Sequence, residues 1–330
     1  MIDQYNRDIN YLRVSVTDRC NLRCQYCMPK EGLSRIGHND ILRYEEILRV
    51  IRAGVRLGIS KVRITGGEPL VRRGVVDFIE RLKTIPGLTD ISLTTNGVLL
   101  RQFAGDLFAA GIRRINVSLD SLDKVKYAEM TRGGDLSAVL AGIREADRAG
   151  FAPIKINTVA IKGFNDDEIQ AFAAHTIDKP YQVRFIELMP LGCAGDDNHN
   201  HYLSNDVVAD IIRQAYPLEI VNDGQHKVDG PARLYRITGG RGRIGFISPI
   251  SHHFCHACNR LRLTADGRLR ACLLLDDEVD LKGPLREGCG DGDIEELMKS
   301  AIARKPWGHT MIKDEYHLRK CVREMASIGG

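Results

Sequence analysis

The stretch "YLRVSVTDRCNLRCQYCMP", residues 11–29, begins as a β-branched run and ends on three cysteines, Cys20, Cys24 and Cys27, spaced C-x3-C-x2-C. Its opening alternates, with Arg13, Ser15 and Thr17 on one face and Leu12, Val14 and Val16 on the other, as a strand requires. Comparable runs recur at 61–65, 90–95, 113–119, 154–161 and 182–188. Helical patterns lie between them, as in "RYEEILRVIRAGVRLG", where Ile47, Ile51 and Val55 share a face and Gly58 supplies a stop. Strands alternating with helices predict βαβ units around a parallel sheet. Six units predict a barrel-like or open α/β domain, with the cysteine loop after its first strand.

The alternation holds on every strand. Arg63 and Thr65 oppose Val62 and Ile64; Ser92, Thr94 and Asn96 oppose Ile91 and Leu93; Asn116, Ser118 and Asp120 oppose Ile115, Val117 and Leu119. Lys155 and Asn157 oppose Ile154 and Ile156, and Gln182 with Arg184 opposes Val183 and Phe185. A closed barrel fills its interior with bulky aliphatics. Here one face is polar and carries Arg13, Arg63, Lys155 and Arg184. An antiparallel sheet with one solvated face would alternate in the same way, but the intervening helices favour a lumen open to ligand. Four cations around one lumen repel one another unless an anion joins them, which points to a phosphorylated or polycarboxylate substrate.

Beyond residue 190 the pattern changes. "GCAGDDNHNH" (192–201) reads as a loop, a helix is expected near 205–215, and "YRITGGRGRIGFISPI" reads as a β-hairpin. The expected division is a partial barrel over 1–225 and a smaller α+β domain over 226–330. A composition of 43% hydrophobic and 27% charged residues is ordinary for a globular protein, and a net charge of +4 is too small to argue for nucleic acid. The polar N-terminus and the lack of a long apolar run lead to the expectation of a soluble, cytoplasmic protein without membrane partners.

Nine cysteines is an unusual number, and six fall into two groups, the first triplet and Cys255-x2-Cys258-x13-Cys272. Clustered cysteines in a cytosolic chain are more often metal ligands than bridges. Structural zinc takes four ligands, commonly from paired C-x2-C elements, and for the second group Cys289, His253 or His256 could complete a tetrahedron. An iron–sulfur cluster normally takes four thiolates. Three would leave one iron able to bind a small molecule. Arg260 and Arg262 follow the second group at strand spacing and suit phosphate oxygens.

The spacing in "CNLRCQYC" resembles the signature of radical S-adenosylmethionine (SAM) enzymes, and "TGGEP" (65–69) resembles that superfamily's glycine-rich SAM segment. With "TTNG", "INVSLDSL", "KINTVAIKGFND", "RFIELMP", "FCHACNRLRLTADGRLRACL" and the terminal "GG", nearly the whole chain is similar to the GTP 3′,8-cyclase family, which opens molybdenum cofactor (molybdopterin) biosynthesis. The resemblance implies an incomplete (β/α)6 TIM-like barrel and two [4Fe-4S] clusters, one on Cys20, Cys24 and Cys27 and one on Cys255, Cys258 and Cys272. It implies SAM contacts from Tyr26, Gly67, Ser118 and Met189. It implies GTP contacts from Arg13, Arg63, Thr94, Lys155, Arg260, Leu261 and Arg262. Arg184, Gly329 and Gly330 are implied in catalysis, the two glycines as a tail reaching the site.

The implied lyase reaction has a 5′-deoxyadenosyl radical remove hydrogen from C3′ of GTP. Bonding of C3′ to guanine C8 then gives (8S)-3′,8-cyclo-7,8-dihydroguanosine 5′-triphosphate. The resemblance also implies a one-electron donor such as flavodoxin or ferredoxin, a downstream pterin-forming enzyme and a homodimer. Two rival readings are another two-cluster radical SAM enzyme, such as a peptide or sulfatase maturase, and a zinc-containing nucleic-acid-binding protein. The first would carry more auxiliary cysteines and need fewer phosphate-suited cations. The second would carry stacking aromatics among basic residues, whereas aromatics are 6% with one tryptophan. Cys193 has no assigned role, and Cys289 could close the second cluster as a fourth ligand.

Overall fold

A computed structural model describes residues 1–33, 36–191, 198–221, 230–308 and 321–329. The six expected strands form where the alternation places them: β1 (Tyr11–Ser15), β2 (Lys61–Thr65), β3 (Asp90–Thr95), β4 (Ile115–Ser118), β5 (Ile154–Ala160) and β6 (Gln182–Glu187). Neighbours from β1 to β6 pair in parallel, which removes the antiparallel alternative. The helices α1 (Tyr44–Arg56), α2 (Val75–Lys83), α3 (Leu100–Ala109), α4 (Lys124–Thr131), α5 (Leu136–Ala149) and α6 (Ile169–Asp178) lie between them in sequence.

The aliphatic residues of the strands and the apolar stripes of the helices form one core. Leu12, Val14, Val62, Ile64, Ile47 and Ile51 are all fully buried there. Each such side chain stabilises the fold by about 1.5–3 kcal/mol relative to exposure. Helix α1 ends as read from sequence, with Gly58 at φ +100°, a backbone conformation that favours glycine.

The later strands extend both edges of this sheet. The hairpin of β8 (Arg233–Ile237) and β9 (Arg243–Ile247) joins through β9, parallel to β6, and β7 (Leu218–Ile220) lies outside it. At the other edge β10 (Arg260–Leu263) runs parallel to β1, followed outward by β11 (Arg268–Arg270) and β12 (Glu278–Asp280). The resulting twelve-stranded order is β12-β11-β10-β1-β2-β3-β4-β5-β6-β9-β8-β7. Among the described residues no ladder joins β6 back to β1, so the barrel is incomplete. The connection from β9 to β10 must cross between these two flanks, and it carries Cys255 and Cys258. The expected domain division at 225/226 lies outside the described residues, as do Cys193 and Gly330. No helix among the described residues is long and apolar enough to cross a membrane.

Candidate active site

The polar strand faces enclose one cavity. Tyr11, Arg13, Arg63, Thr65, Ser92, Thr94, Ser118, Asn157, Arg184, Arg260 and Arg262 line it, together with all six clustered cysteines. Tyr26, Gly67 and Met189 line it as well. Two of the expected substrate contacts, Leu261 and Lys155, are not among the residues that line it. Leu261 pairs with Leu12 on the aliphatic face and is fully buried in the core, because strand alternation turns it away from Arg260 and Arg262. Its side chain therefore does not line the cavity. Lys155 keeps the polar parity but sits at the amino end of β5, level with Asn116 and Gln182 and buried.

The two triplets lie at opposite ends of the lumen. Cys20 follows the carboxyl end of β1. Arg260 pairs with Tyr11 at the amino end of β1, and Cys255 and Cys258 precede it. Cys272 follows β11, which runs antiparallel to β10 and so returns to the same end. The four steps from Tyr11 to Ser15 span roughly 13 Å, and Arg13, Arg63 and Arg262 are level with one another in that interval.

Both flanks of the first triplet loop are held by backbone bonds. On one side Gly67 N donates to Thr17 O at 2.7 Å and Glu68 N to Arg19 O at 2.8 Å. On the other, Arg23 N and Gln25 N donate to Thr131 O and Met130 O at the end of α4. The close approach explains the glycine: a Cβ on Gly67 would lie 2.6 Å from the Arg19 carbonyl carbon and 2.7 Å from Asp18 O. Gly67→Ala is therefore expected to displace the loop and reduce iron uptake on anaerobic reconstitution, while far-ultraviolet circular dichroism stays near that of the parent.

The donor set fits an iron–sulfur cluster. Burial pushes the Cys20 thiol up to about 11 and Cys27 up to about 12, and it drives Cys24 well above the ordinary thiol range. The neighbouring thiols add to the shifts at Cys24 and Cys27. Three such sulfurs ionise together only against positive charge, which a cluster provides. At the far end burial opposes ionisation of Cys258, yet Lys305 and Arg260 bring it down to about 7. Lys305 donates to Arg260 O at 2.8 Å and Ala271 O at 2.6 Å, tying both arms of the second group together. No sequence pattern marked this lysine. Cys289 lies elsewhere, in a surface hollow with Pro284, Glu287 and Asp293, and does not line the central cavity.

The cations between the triplets oppose one another's charge. Burial lowers the pKa of Arg13 well below its ordinary value, with Arg262, Arg63 and Arg260 adding to it, and burial with Arg260 brings Arg262 down to about 10. Asn157 Oδ1 and Tyr11 OH, both in the cavity wall, have no hydrogen-bond partner among the described residues. A polyanion with hydroxyl groups would satisfy all of these.

The C-terminal segment also enters the cavity. Met325 and Ala326 line it, and Arg262 Nη1 donates to Gly329 O at 3.1 Å. Gly329 has φ +82°, and a Cβ there would lie 2.9 Å from Ser15 Cβ.

Asp120 accepts from Tyr26 OH and from Val159 N, each at 2.8 Å, and burial raises its pKa from 3.8 to about 6. Because the folded pKa is the higher one, its contribution to stability is complete below about pH 4 and is lost as pH rises through about 6. Asp120→Asn is expected to lose less stability than the parent between about pH 5 and pH 7.5, with the difference read from melting curves across that range.

Comparison with known proteins agrees with this geometry. The Radical SAM superfamily model matches residues 14–175, and the Molybdenum Cofactor Synthesis C model matches residues 181–311. A GTP 3′,8-cyclase from Pelotomaculum thermopropionicum is 51% identical over 330 residues, covering all of both chains. One from Alkaliphilus oremlandii is 49% identical over the same span, again covering all of both chains. Among solved structures, Streptococcus suis SuiB bound to precursor peptide SuiA has a TM-score of 0.58 at 13% identity, covering 98% of this chain and 76% of that one. The anSMEcpe structure with bound AdoMet also has a TM-score of 0.58, at 15% identity, with coverages of 92% and 79%. These two likenesses establish the fold, and the full-length relatives establish the family. The chain belongs to the GTP 3′,8-cyclase family of the radical SAM superfamily.

Proposed function

We propose that the chain catalyses the reaction for which its family is named, the 3′,8-cyclisation of GTP in the first step of molybdenum cofactor biosynthesis. The observation that carries this reading is a single cavity with a cysteine triplet at each end and arginines between them. Cys20, Cys24 and Cys27 would hold a four-iron cluster, and Tyr26, Gly67, Ser118 and Met189 would contact SAM. When bound, this pair supplies a 5′-deoxyadenosyl radical that takes hydrogen from C3′ of the GTP ribose.

The protein's own task is placement. Arg13, Arg63, Arg260 and Arg262 hold the triphosphate, which offsets their mutual repulsion. Thr94 and Lys155 complete the substrate contacts, and Arg184 and the Gly329–Gly330 tail act at the reacting end. Cys255, Cys258 and Cys272 would hold a second four-iron cluster, which would supply an iron site for the guanine ring. Cys289 lines a different hollow, which supports a second cluster held by three cysteines. Holding the nucleotide in one pose presents one ribose C–H to the radical. The reductant is a one-electron carrier of flavodoxin or ferredoxin type, the product passes to a pterin-forming enzyme, and the enzyme works in the cytoplasm as a homodimer.

The test is anaerobic purification with iron, sulfide and zinc analysis, followed by dithionite, SAM and GTP. About eight irons per chain with GTP-dependent 5′-deoxyadenosine and cyclised nucleotide are expected. Zinc without a chromophore would sink the radical reading. Two clusters without cyclised product would leave the superfamily and remove the substrate.

A further inference from the structure

Asn96 stands in the cavity wall just past β3, and its side-chain amide is fully committed. One N–H reaches Asn21 Oδ1 at 2.7 Å and Nδ2 also reaches Cys20 Sγ at 3.7 Å, while Oδ1 accepts from Val98 N at 3.1 Å. Turning the amide over would set its oxygen against the Asn21 oxygen and the sulfur, and its N–H groups against that of Val98. The contacts therefore decide which end faces Cys20.

The backbone beneath is equally held. Asn96 N donates to Glu68 Oε2 at 2.7 Å, and the same buried carboxylate accepts from Thr95 Oγ1 at 2.8 Å and Leu70 N at 3.0 Å. Glu68 thus links the TGGEP segment to the amide that meets the first cysteine of the triplet. A second N–H, from Leu22, reaches the same sulfur at 3.4 Å, but it belongs to the main chain.

We propose that Asn96 is a positioning residue that sets the reduction potential of the cluster on Cys20, Cys24 and Cys27. The inference rests on those cysteines holding an iron–sulfur cluster. Reduction adds one electron from the external donor to the cluster core, and the added negative charge spreads onto the ligating sulfurs. An N–H aimed at one of them stabilises the reduced form more than the oxidised form, and so raises the potential. Among the described residues Asn96 is the side-chain donor to Cys20, so it is the one a substitution can remove.

The test is a dithionite titration of reconstituted full-length protein, following the electron paramagnetic resonance signal that changes when SAM is added. Asn96→Leu, which removes the donor, should shift the midpoint to a more negative potential. Asn96→Asp, which also adds a negative charge, should shift it further. With a weak reductant, 5′-deoxyadenosine formation should fall in the same order while the KM for GTP stays put. Should the leucine protein fail to hold iron, Asn96→Ser, whose hydroxyl is too short to reach the sulfur, takes its place. Iron-loaded variants with the parent's midpoint would overturn the role of Asn96. A parent protein without iron would instead sink the cluster reading itself, so the two failures are distinguishable.

Discussion

Cys24→Ser protein, reconstituted anaerobically and given dithionite, SAM and GTP, is expected to form no 5′-deoxyadenosine above background. The fall should exceed about a thousandfold, a small part of the ~10⁶ or greater acceleration typical of enzymes. Cys24 is the middle cysteine of the first triplet, held in a loop fastened at both flanks, and Cys27 N donates to Cys24 O at 3.0 Å. A serine hydroxyl is a harder, less acidic donor and does not replace a soft thiolate at iron. The second group is expected to keep about four irons, because its cysteines come from other segments at the opposite end of the lumen. Cys272→Ser should do the reverse, sparing the first cluster and SAM binding while losing cyclisation. Loss of all iron in either protein would contradict the separation of the two sites.

Arg262→Met should divide stability from function. Arg262 is buried beside Arg13 and Arg260, and its pKa falls from 12.5 to about 10 through burial and Arg260. A depressed pKa on a base means that its charge disfavours folding wherever the group stays protonated, so the penalty holds at every pH below about 10. The drop corresponds to a penalty on the order of 3 kcal/mol. Removing that charge should leave the melting temperature of the substrate-free protein unchanged or higher, even with the bond to Gly329 O lost. The same change should raise the KM for GTP. Losing one member of a buried charge-assisted pair costs about 2–5 kcal/mol, or roughly 30-fold or more in affinity. Added salt should narrow the difference between the two proteins. A lower melting temperature with an unchanged KM would show that Arg262 serves the fold rather than the substrate.

Much of this site was legible before any coordinates. The period-two alternation placed Arg13, Arg63, Thr94, Asn157 and Arg184 on one face, and the strand boundaries agree within one or two residues. Leu261 and Lys155 are absent from the cavity lining for simple reasons. Leu261 came with its arginine neighbours from the resemblance, although strand parity turns it into the core beside Leu12. Lys155 has the right parity, but its depth along the lumen depends on the register with β4 and β6, which no single strand carries. Glu68 and Asn96 stood inside recognised motifs without a function, because their hydrogen bonds join segments about 30 to 75 residues apart. Lys305 had no local signal at all.

The sequence by itself determined the α/β class, the polar lumen, its cationic character and two groups of three cysteines. These follow from side-chain alternation and short spacings, which are properties of neighbouring residues. Only the tertiary structure decided that the two groups face each other from opposite ends of one cavity, with Cys289 outside it and the C-terminal segment inside. Those relations come from β10 pairing in parallel with β1, nearly 250 residues away in the chain. The partner a strand finds at that distance is chosen by packing of the whole core, and no local pattern encodes it.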